Sequence, residues 1–243
     1  MSIVLDSPMS NQNPIQPLVA ARALKALMAD PDRTEQVFII LKALSGNSIR
    51  RSFLKFCGTP MGRRILNEER DLVETLRDRD QLRAMPAGSL GRAYLAFVEA
   101  QNLTADGLVA ASEVARNFED ADFERYANRT RDMHDLWHVL TGYGRDTLGE
   151  DCLLAFSFAQ LKNPGVAAIC LIAAIKISRE SGESVFGANW KAFLAGRRAA
   201  WLPAQDWEEL LKRPLEEVRA QLRIEAPAAY EAIRERWDDA VTA

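Results

Sequence analysis

The sequence contains few of the residues that stabilise small secreted proteins or bind zinc through sulfur. Only Cys57, Cys152 and Cys170 are cysteine, they lie far apart, and no CxxC pair occurs. Scattered thiols in an odd number favour neither a disulfide framework nor a cysteine zinc site. We therefore expect three reduced cysteines, packed as small apolar residues in a protein of a cytosolic compartment.

Long apolar runs are also missing. The most apolar stretch, Gly165–Ile177, has about 13 residues, whereas a membrane-spanning helix needs about 20. Residues 1–17 carry Asp6 and have no basic residue ahead of an apolar stretch, so they do not resemble a signal or transit peptide. We expect a chain that does not span a membrane.

The sequence has no excess of positive charge. Its formal net charge is −3 at pH 7, and no long basic stripe is present, so we do not expect nucleic-acid binding. One local exception is the basic cluster of Arg50, Arg51, Lys55, Arg63 and Arg64. A solvated helix face would explain it, and contact with an anionic head group, of a membrane lipid or a phosphorylated ligand, is the alternative.

Helix-forming sequence dominates what is present. Apolar residues make up 48% of the chain, and no long alternating run predicts a strand. Ser89 suits a helix N-cap, and Asn163 before a proline suits another, for a helix that should stop near Gly182. We predict the all-α class: a flexible tail at residues 1–14 and one multi-helix domain over residues 15–243, with no substantial sheet.

The two histidines of the chain lie four residues apart, at His134 and His138. On a helix these positions lie one turn apart on the same face, close enough to share a metal ion. Asp135 is rotated by about 100° from His134 on a helical wheel and lies three residues before His138. The three side chains are therefore predicted to form a triangular patch of metal ligands.

A second helix is predicted to supply a fourth ligand, Glu150. The first helix should end near Gly142, and a short loop should return the chain so that Glu150 approaches the histidines. Two imidazoles and two carboxylates suit Zn²⁺, with Fe²⁺ or Mn²⁺ as alternatives. Three neighbouring charged residues are candidates for orienting these ligands or a substrate carboxylate, with ordinary helix-end salt bridges as the alternative: Asp132, Arg145 and Asp146.

Other interpretations of the same residues stay open. His-x-x-x-His arises by chance on helices, Thr147-x-x-Glu150 matches a capping box, and Asp135 suits a surface charge paired with Arg131 or Arg145. Two known metal families fit poorly. HD phosphohydrolases need a further histidine, which this chain lacks, and zincin proteases have glutamate where this chain has aspartate.

The motif His134-Asp135-Leu136-Trp137-His138, followed after eleven residues by Glu150, resembles the ubiquinone (coenzyme Q) biosynthesis protein 4 family. That family is marked by HDxxH and a glutamate at this spacing. The similarity extends over roughly residues 19–225. Three further stretches look like the same family: Thr59–Arg63, Pro86–Tyr94 and Pro214–Arg219.

This resemblance implies an α-helical, cytoplasmic protein associated peripherally with the inner membrane, in which the four motif residues bind a zinc-like metal. It implies action on a prenylated, 4-hydroxybenzoate-derived intermediate, with decarboxylation at C1 coupled to hydroxylation. The alternative is a non-catalytic, lipid-binding scaffold with a structural metal, and service to another isoprenoid pathway is a third possibility. The expected partners are an isoprenoid lipid, other quinone-biosynthesis enzymes, the membrane surface and a further copy of the chain.

Overall fold

The computed structural model describes residues 14–29, 33, 35–101 and 120–242, and every regular element in these ranges is helical. Apart from one 3₁₀ turn at Leu202–Ala204, the elements are α-helices, with bounds as follows: α1 Pro17–Ala29, α2 Glu35–Ser45, α3 Ser48–Gly58, α4 Pro60–Asn67, α5 Leu72–Arg77, α6 Arg79–Ala84, α7 Leu90–Ala100, α8 Ala121–Asp132, α9 His134–Thr141, α10 Thr147–Leu161, α11 Pro164–Ser181, α12 Phe186–Arg198, α13 Trp207–Leu210, α14 Leu215–Leu222 and α15 Ala228–Thr242. The prediction of an all-α protein is confirmed. The predicted tail lies almost entirely outside the described residues.

Helix α10 is the centre of the fold. It packs against α11 and α12, while α9 packs against α7. Gly196 lets α12 approach closely, because a Cβ there would lie 2.5 Å from the carbonyl oxygen of Phe156 on α10. Phe156 and Leu153 are almost fully buried in the main hydrophobic core, and burying side chains of this size contributes about 1.5–3 kcal/mol each. This packing fixes the helix that carries Glu150.

The helix boundaries that the sequence predicts are confirmed where capping residues are local. The hydroxyl of Ser89 accepts a hydrogen bond from the backbone N–H of Arg92, and the Asn163 side chain accepts one from Gly165. Gly182 ends α11 with a φ of 72°, in the left-handed region that glycine adopts without strain. These caps satisfy backbone groups that helix ends leave unpaired.

A break between α8 and α9 was not predicted. It falls at Met133, which is buried and makes no side-chain cap. The last turn of α8 is held by Arg129, whose guanidinium forms two hydrogen bonds to the carboxylate of Glu208, at 2.7 and 2.8 Å. Arg129 is 2% exposed, so this ion pair fixes the point from which α9 begins.

Candidate metal centre

His138 is buried in α9 and held in one orientation. Its Nδ1 lies 2.9 Å from the carbonyl oxygen of Tyr143, which can only accept, so Nδ1 carries the hydrogen. The ring stacks on Phe97 of α7, with ring centroids 5.6 Å apart. These contacts direct Nε2 toward Glu150. Nε2 is buried and has no hydrogen-bond partner among the described residues.

Glu150 lies in the first turn of α10, where tight backbone packing places it beside the histidines. Its Oε2 is 3.4 Å from Nε2 of His138 and 3.9 Å from Nε2 of His134. Gly149 permits this approach, since a Cβ there would lie 2.1 Å from the carbonyl oxygen of Gly144. Burial disfavours the ionised carboxylate, but His138, His134 and Arg145 together lower the pKa of Glu150 below its ordinary value. The side chain is therefore a carboxylate at neutral pH.

The ligand atoms of His134, His138 and Glu150 form one cluster and lie within 4.8 Å of one another. A lone pair on Nε2 of His138 and a carboxylate oxygen at 3.4 Å would repel each other unless a cation or a proton lay between them. Two ligands on a tetrahedral Zn²⁺, with bonds of about 2.0–2.1 Å, are about 3.4 Å apart. Donor chemistry and the spacing of His138 and Glu150 therefore fit a divalent metal ion, and the third donor, His134, lies close to both.

Asp135 contacts His134 in the structure. Its Oδ1 lies 3.2 Å from Nδ1 of His134, and its side chain is 8% exposed. A carboxylate in this position accepts the Nδ1 hydrogen, leaves Nε2 free for a metal and fixes the ring. The role of Asp135 as a direct ligand stays a prediction, because its oxygens do not belong to the cluster of three.

Of the three other candidate residues, Arg145 contacts a ligand, with Nε 3.6 Å from Oε1 of Glu150. Asp132 is buried and pairs with Arg131 at 2.7 Å; burial is the largest effect on its carboxyl and raises the pKa. Asp146 faces the C-terminal helix, where its Oδ2 accepts hydrogen bonds from Tyr230 and Arg234. Asp146 therefore supports the loop that carries Arg145.

The capping-box interpretation of Glu150 is wrong. The N-cap of α10 is Asp146, whose Oδ1 accepts a hydrogen bond from the N–H of Gly149, and Thr147 is the first helical residue. This shift of one residue moves Glu150 out of the position from which it would reach back to the cap. Its carboxylate is therefore available to the histidines.

Several contacts that position the centre were not predicted. The carbonyl of Tyr143 and the ring of Phe97 act on His138 from a loop and from another helix, and sequence spacing gives no signal for either. Arg219 donates hydrogen bonds to the carbonyls of Leu140 and Val139 at the end of α9. Arg219 belongs to the family-like stretch Pro214–Arg219, whose sequence gives no signal for this contact.

Comparison with known proteins gives a consistent result. The family model for the coenzyme Q (ubiquinone) biosynthesis protein Coq4 matches residues 10–228. The mitochondrial ubiquinone biosynthesis protein COQ4 of Podospora anserina is 31% identical over 180 residues, which are 73% of this chain and 58% of that protein. Its counterpart in Yarrowia lipolytica is 29% identical over 198 residues, 81% of this chain and 70% of that protein. The chain spans about three fifths of the length of the first curated relatives it matches.

A solved structure resembles the fold as well. A crystal structure of a Nostoc punctiforme protein, provisionally assigned to ubiquinone biosynthesis, aligns with a TM-score of 0.61 and 20% identity, over 86% of this chain and 96% of that one. At this identity the likeness concerns the fold alone. Within the part of the chain that the structure describes, no helix has the length and apolar character that crossing a bilayer requires.

Proposed function

The chain belongs to the coenzyme Q (ubiquinone) biosynthesis protein Coq4 family, and we propose that it acts in ubiquinone biosynthesis as a metal-dependent enzyme. Its proposed substrate is a prenylated, 4-hydroxybenzoate-derived intermediate. The observation that carries the proposal is the buried Nε2 of His138, which faces the carboxylate of Glu150 at 3.4 Å without a hydrogen-bond partner among the described residues. A buried polar atom of this kind is costly unless a ligand satisfies it.

The proposed reaction replaces the C1 carboxylate of the ring by a hydroxyl group. The bond between C1 and the carboxylate carbon breaks, that carbon leaves as CO₂, and a C–O bond forms at C1. With water as the source of the new oxygen, the ionised carboxylate and water together give up two electrons and one proton. The reaction therefore needs an external two-electron oxidant as a co-reactant.

The described residues support binding and orientation of such a substrate. His134, His138 and Glu150 would hold the metal, with Asp135 as an additional ligand or as the partner that orients His134. A bound divalent cation stabilises negative charge that develops on a carboxylate or phenolate oxygen. Arg145 has a side chain that is 36% exposed beside Glu150, and in this proposal its guanidinium binds a substrate carboxylate.

The test replaces one ligand with its uncharged isostere. We expect the Glu150→Gln protein, produced in a strain that lacks its native counterpart, to purify without the metal and to leave the C1-carboxylated precursor unconverted. The matched control is Glu180→Gln, which removes an exposed carboxylate on α11 whose partner among the described residues is Lys176, at 3.9 Å. Metal content is measured by elemental analysis and ubiquinone by mass spectrometry. Full ubiquinone synthesis by a metal-free Glu150→Gln protein would remove the catalytic proposal.

A lipid-binding scaffold with a structural metal is the second candidate. It is favoured by an apolar cavity of about 270 Å³ between α10, α11 and α12, whose lining includes Phe158, Leu171 and Trp190. Ala155, which also lines it, is rotated by about 140° around α10 from Glu150, so this cavity lies on another side of the helix. Protein that unfolds when the metal is stripped, and that binds but never converts the purified precursor, would favour the scaffold.

The remaining proposals concern the setting of this activity. We propose Zn²⁺ as the metal, with Fe²⁺ or Mn²⁺ as alternatives, because imidazole and carboxylate ligands suit all three. The proposed location is the surface of the inner membrane, with other quinone-biosynthesis enzymes and a second copy of the chain as partners. The matched relatives are named as mitochondrial proteins, and the cytoplasmic location of this chain stays a prediction. Elemental analysis with mass spectrometry of co-purified lipid tests the metal and the ligand together.

A further inference from the structure

A second concave site lies at the C-terminal end of α10, away from Glu150. This basic pocket has a volume of about 340 Å³ and is lined by α3, α10, α12 and Trp201. Among the described residues, its lining includes no acidic side chain. Four cationic side chains line it: Arg51, Lys55, Lys162 and Arg197. The structure therefore divides the basic cluster seen in the sequence and brings two of its members together with two cations from elsewhere in the chain.

Two of the other members of the sequence cluster, Arg63 and Arg64, have partners of their own. Arg64 pairs with Glu68 at 2.8 Å, and Arg63 donates hydrogen bonds to the last carbonyls of α3. In contrast, none of the four pocket cations forms an ion pair with a carboxylate of the described part of the chain. Positive charge in this pocket is thus not neutralised by these parts of the protein.

The surroundings of Lys55 disfavour its protonated form. Its ammonium lies over the ring of Trp201, 3.9 Å from the centroid, which holds it at the pocket wall. Partial burial, followed by the charge of Lys162, lowers the pKa of Lys55 below its ordinary value. Both effects act against the protonated amine, and the negative charge of an anion bound between the two ammonium groups would oppose them.

Stabilisation of helix ends explains the positions of only some of the cations in the pocket. Lys162 and Arg197 stand at the C-terminal ends of α10 and α12, where positive charge is favourable. Arg51 lies in the first turn of α3, together with Arg50 and without an acidic residue, at the end where positive charge is unfavourable. Its position therefore has no explanation in the stability of α3.

We propose that the basic pocket binds a phosphate group, carried by a soluble phosphorylated molecule or by an anionic lipid. Arginine and lysine side chains without internal counter-ions are the groups that bind phosphate in proteins. The apolar cavity adjoins this pocket through Phe193, whose ring lies 5.7 Å from the ammonium of Lys162. An anionic lipid would therefore find an apolar surface beside its head group.

The first arm of the test measures binding of inorganic phosphate by titration calorimetry. The pocket variant carries Lys55→Gln and Lys162→Gln, and the matched control carries Lys25→Gln and Lys191→Gln, which remove the same charge from exposed positions outside the pocket. We expect the pocket variant to bind phosphate about tenfold or more weakly than the control, since a charge-assisted hydrogen bond contributes about 1.5–3 kcal/mol. Binding to the wild type should weaken as salt is added.

The second arm uses sedimentation of phosphatidylcholine vesicles with and without phosphatidic acid. Loss of binding to phosphatidic acid vesicles in the pocket variant alone assigns the phosphate to a lipid head group. Phosphate binding that is pocket-dependent, with vesicle binding that is not, assigns it to a soluble molecule. Pocket and control variants that behave alike in both arms overturn the proposal. Thermal unfolding checks that the variants are folded, and Arg197→Gln replaces the double variant if that protein is unfolded.

Discussion

Arg219 holds the C-terminal end of the helix that carries both histidines. Its Nε donates to the carbonyl of Leu140 at 2.9 Å and its Nη2 donates to that of Val139 at 3.0 Å. These carbonyls belong to the last turn of α9, where helix geometry leaves them without partners and where positive charge is favourable. Replacing Arg219 by Met keeps most of the aliphatic stem and removes both of these hydrogen bonds, together with the ion pair to the exposed Glu216 at 2.6 Å.

The size of the effect follows from these contacts. A hydrogen bond to a charged group contributes about 1.5–3 kcal/mol when well shielded, but the Arg219 side chain is 26% exposed, so water replaces part of the loss. We expect Arg219→Met to lower the free energy of unfolding by about 2 kcal/mol. For a domain of this size that corresponds to a decrease in Tm of about 4–8 °C.

Denaturant titration and thermal unfolding measure the change, with Arg213→Met as the matched control. Arg213 lies two residues before α14, and its side-chain partners among the described residues are the exposed Glu217 and Gln221. Its loss should therefore cost less than about 0.5 kcal/mol. Arg219→Lys keeps the charge near the helix end and should fall between the two. Equal stability of the Arg219→Met and Arg213→Met proteins would refute the role given to Arg219.

Three further variants test the packing around the centre. Arg129→Met should cost about 3 kcal/mol, because Glu208 loses both hydrogen bonds to Arg129 and keeps only the longer contact to Arg70 at 3.9 Å; adding Glu208→Gln should recover part of the loss. Burial opposes ionisation of Glu208, but its hydrogen bonds with Arg129 lower its pKa overall. Denaturant titrations of the wild type should therefore show a loss of stability as pH falls through this lowered pKa, below about 4.5. Gly149→Ala should destabilise the protein by at least about 2 kcal/mol, since the new Cβ would collide with a carbonyl oxygen. In the control Gly187→Ala the Cβ would have no described atom within 4 Å, so this change should be neutral or stabilising. Equal Tm values of the two variants would contradict this. Tyr230→Phe should cost about 1–2 kcal/mol because it loses the hydrogen bond to Asp146. Burial is the main cause that raises the pKa of Tyr230 to about 12, and an absorbance titration of the wild type measures this value. An ordinary value near 10 would argue against it.

Local signals were sufficient to predict much of the fold. Ser89, Asn163 and Gly182 mark helix ends because a side chain or a left-handed backbone satisfies groups only a few residues away. The spacing of His134 and His138 likewise places both imidazoles on one helix face without knowledge of the rest of the chain.

Features that depend on distant residues were not predictable in this way. The break at Met133 has no side-chain cap, and the turn of α8 before it is held by an ion pair to Glu208, 79 residues further along the chain. The prediction that Glu150 is a neighbour of the histidines is confirmed, whereas the competing prediction of a capping box at Thr147 is wrong. Asp146 also suits an N-cap, and Tyr230 and Arg234 hold Asp146 in that position. Choosing between adjacent caps required the position of the last helix.

The basic pocket illustrates the same limit. Arg51 and Lys55 are one turn apart in the sequence, and Lys162 and Arg197 join them only through the packing of α3, α10 and α12. A sequence pattern shows the first pair as part of a charged helix face. Only the tertiary structure shows that the face borders a cavity.

X-ray absorption spectroscopy of the protein as purified, with metal quantification on the same sample, tests the metal centre most directly. We expect one divalent ion per chain, with scattering from two imidazoles and carboxylate oxygen at about 2.0–2.2 Å and no sulfur ligand. A sample that contains no stoichiometric metal, or a spectrum without imidazole scattering, would contradict the assignment of His134, His138 and Glu150 as ligands.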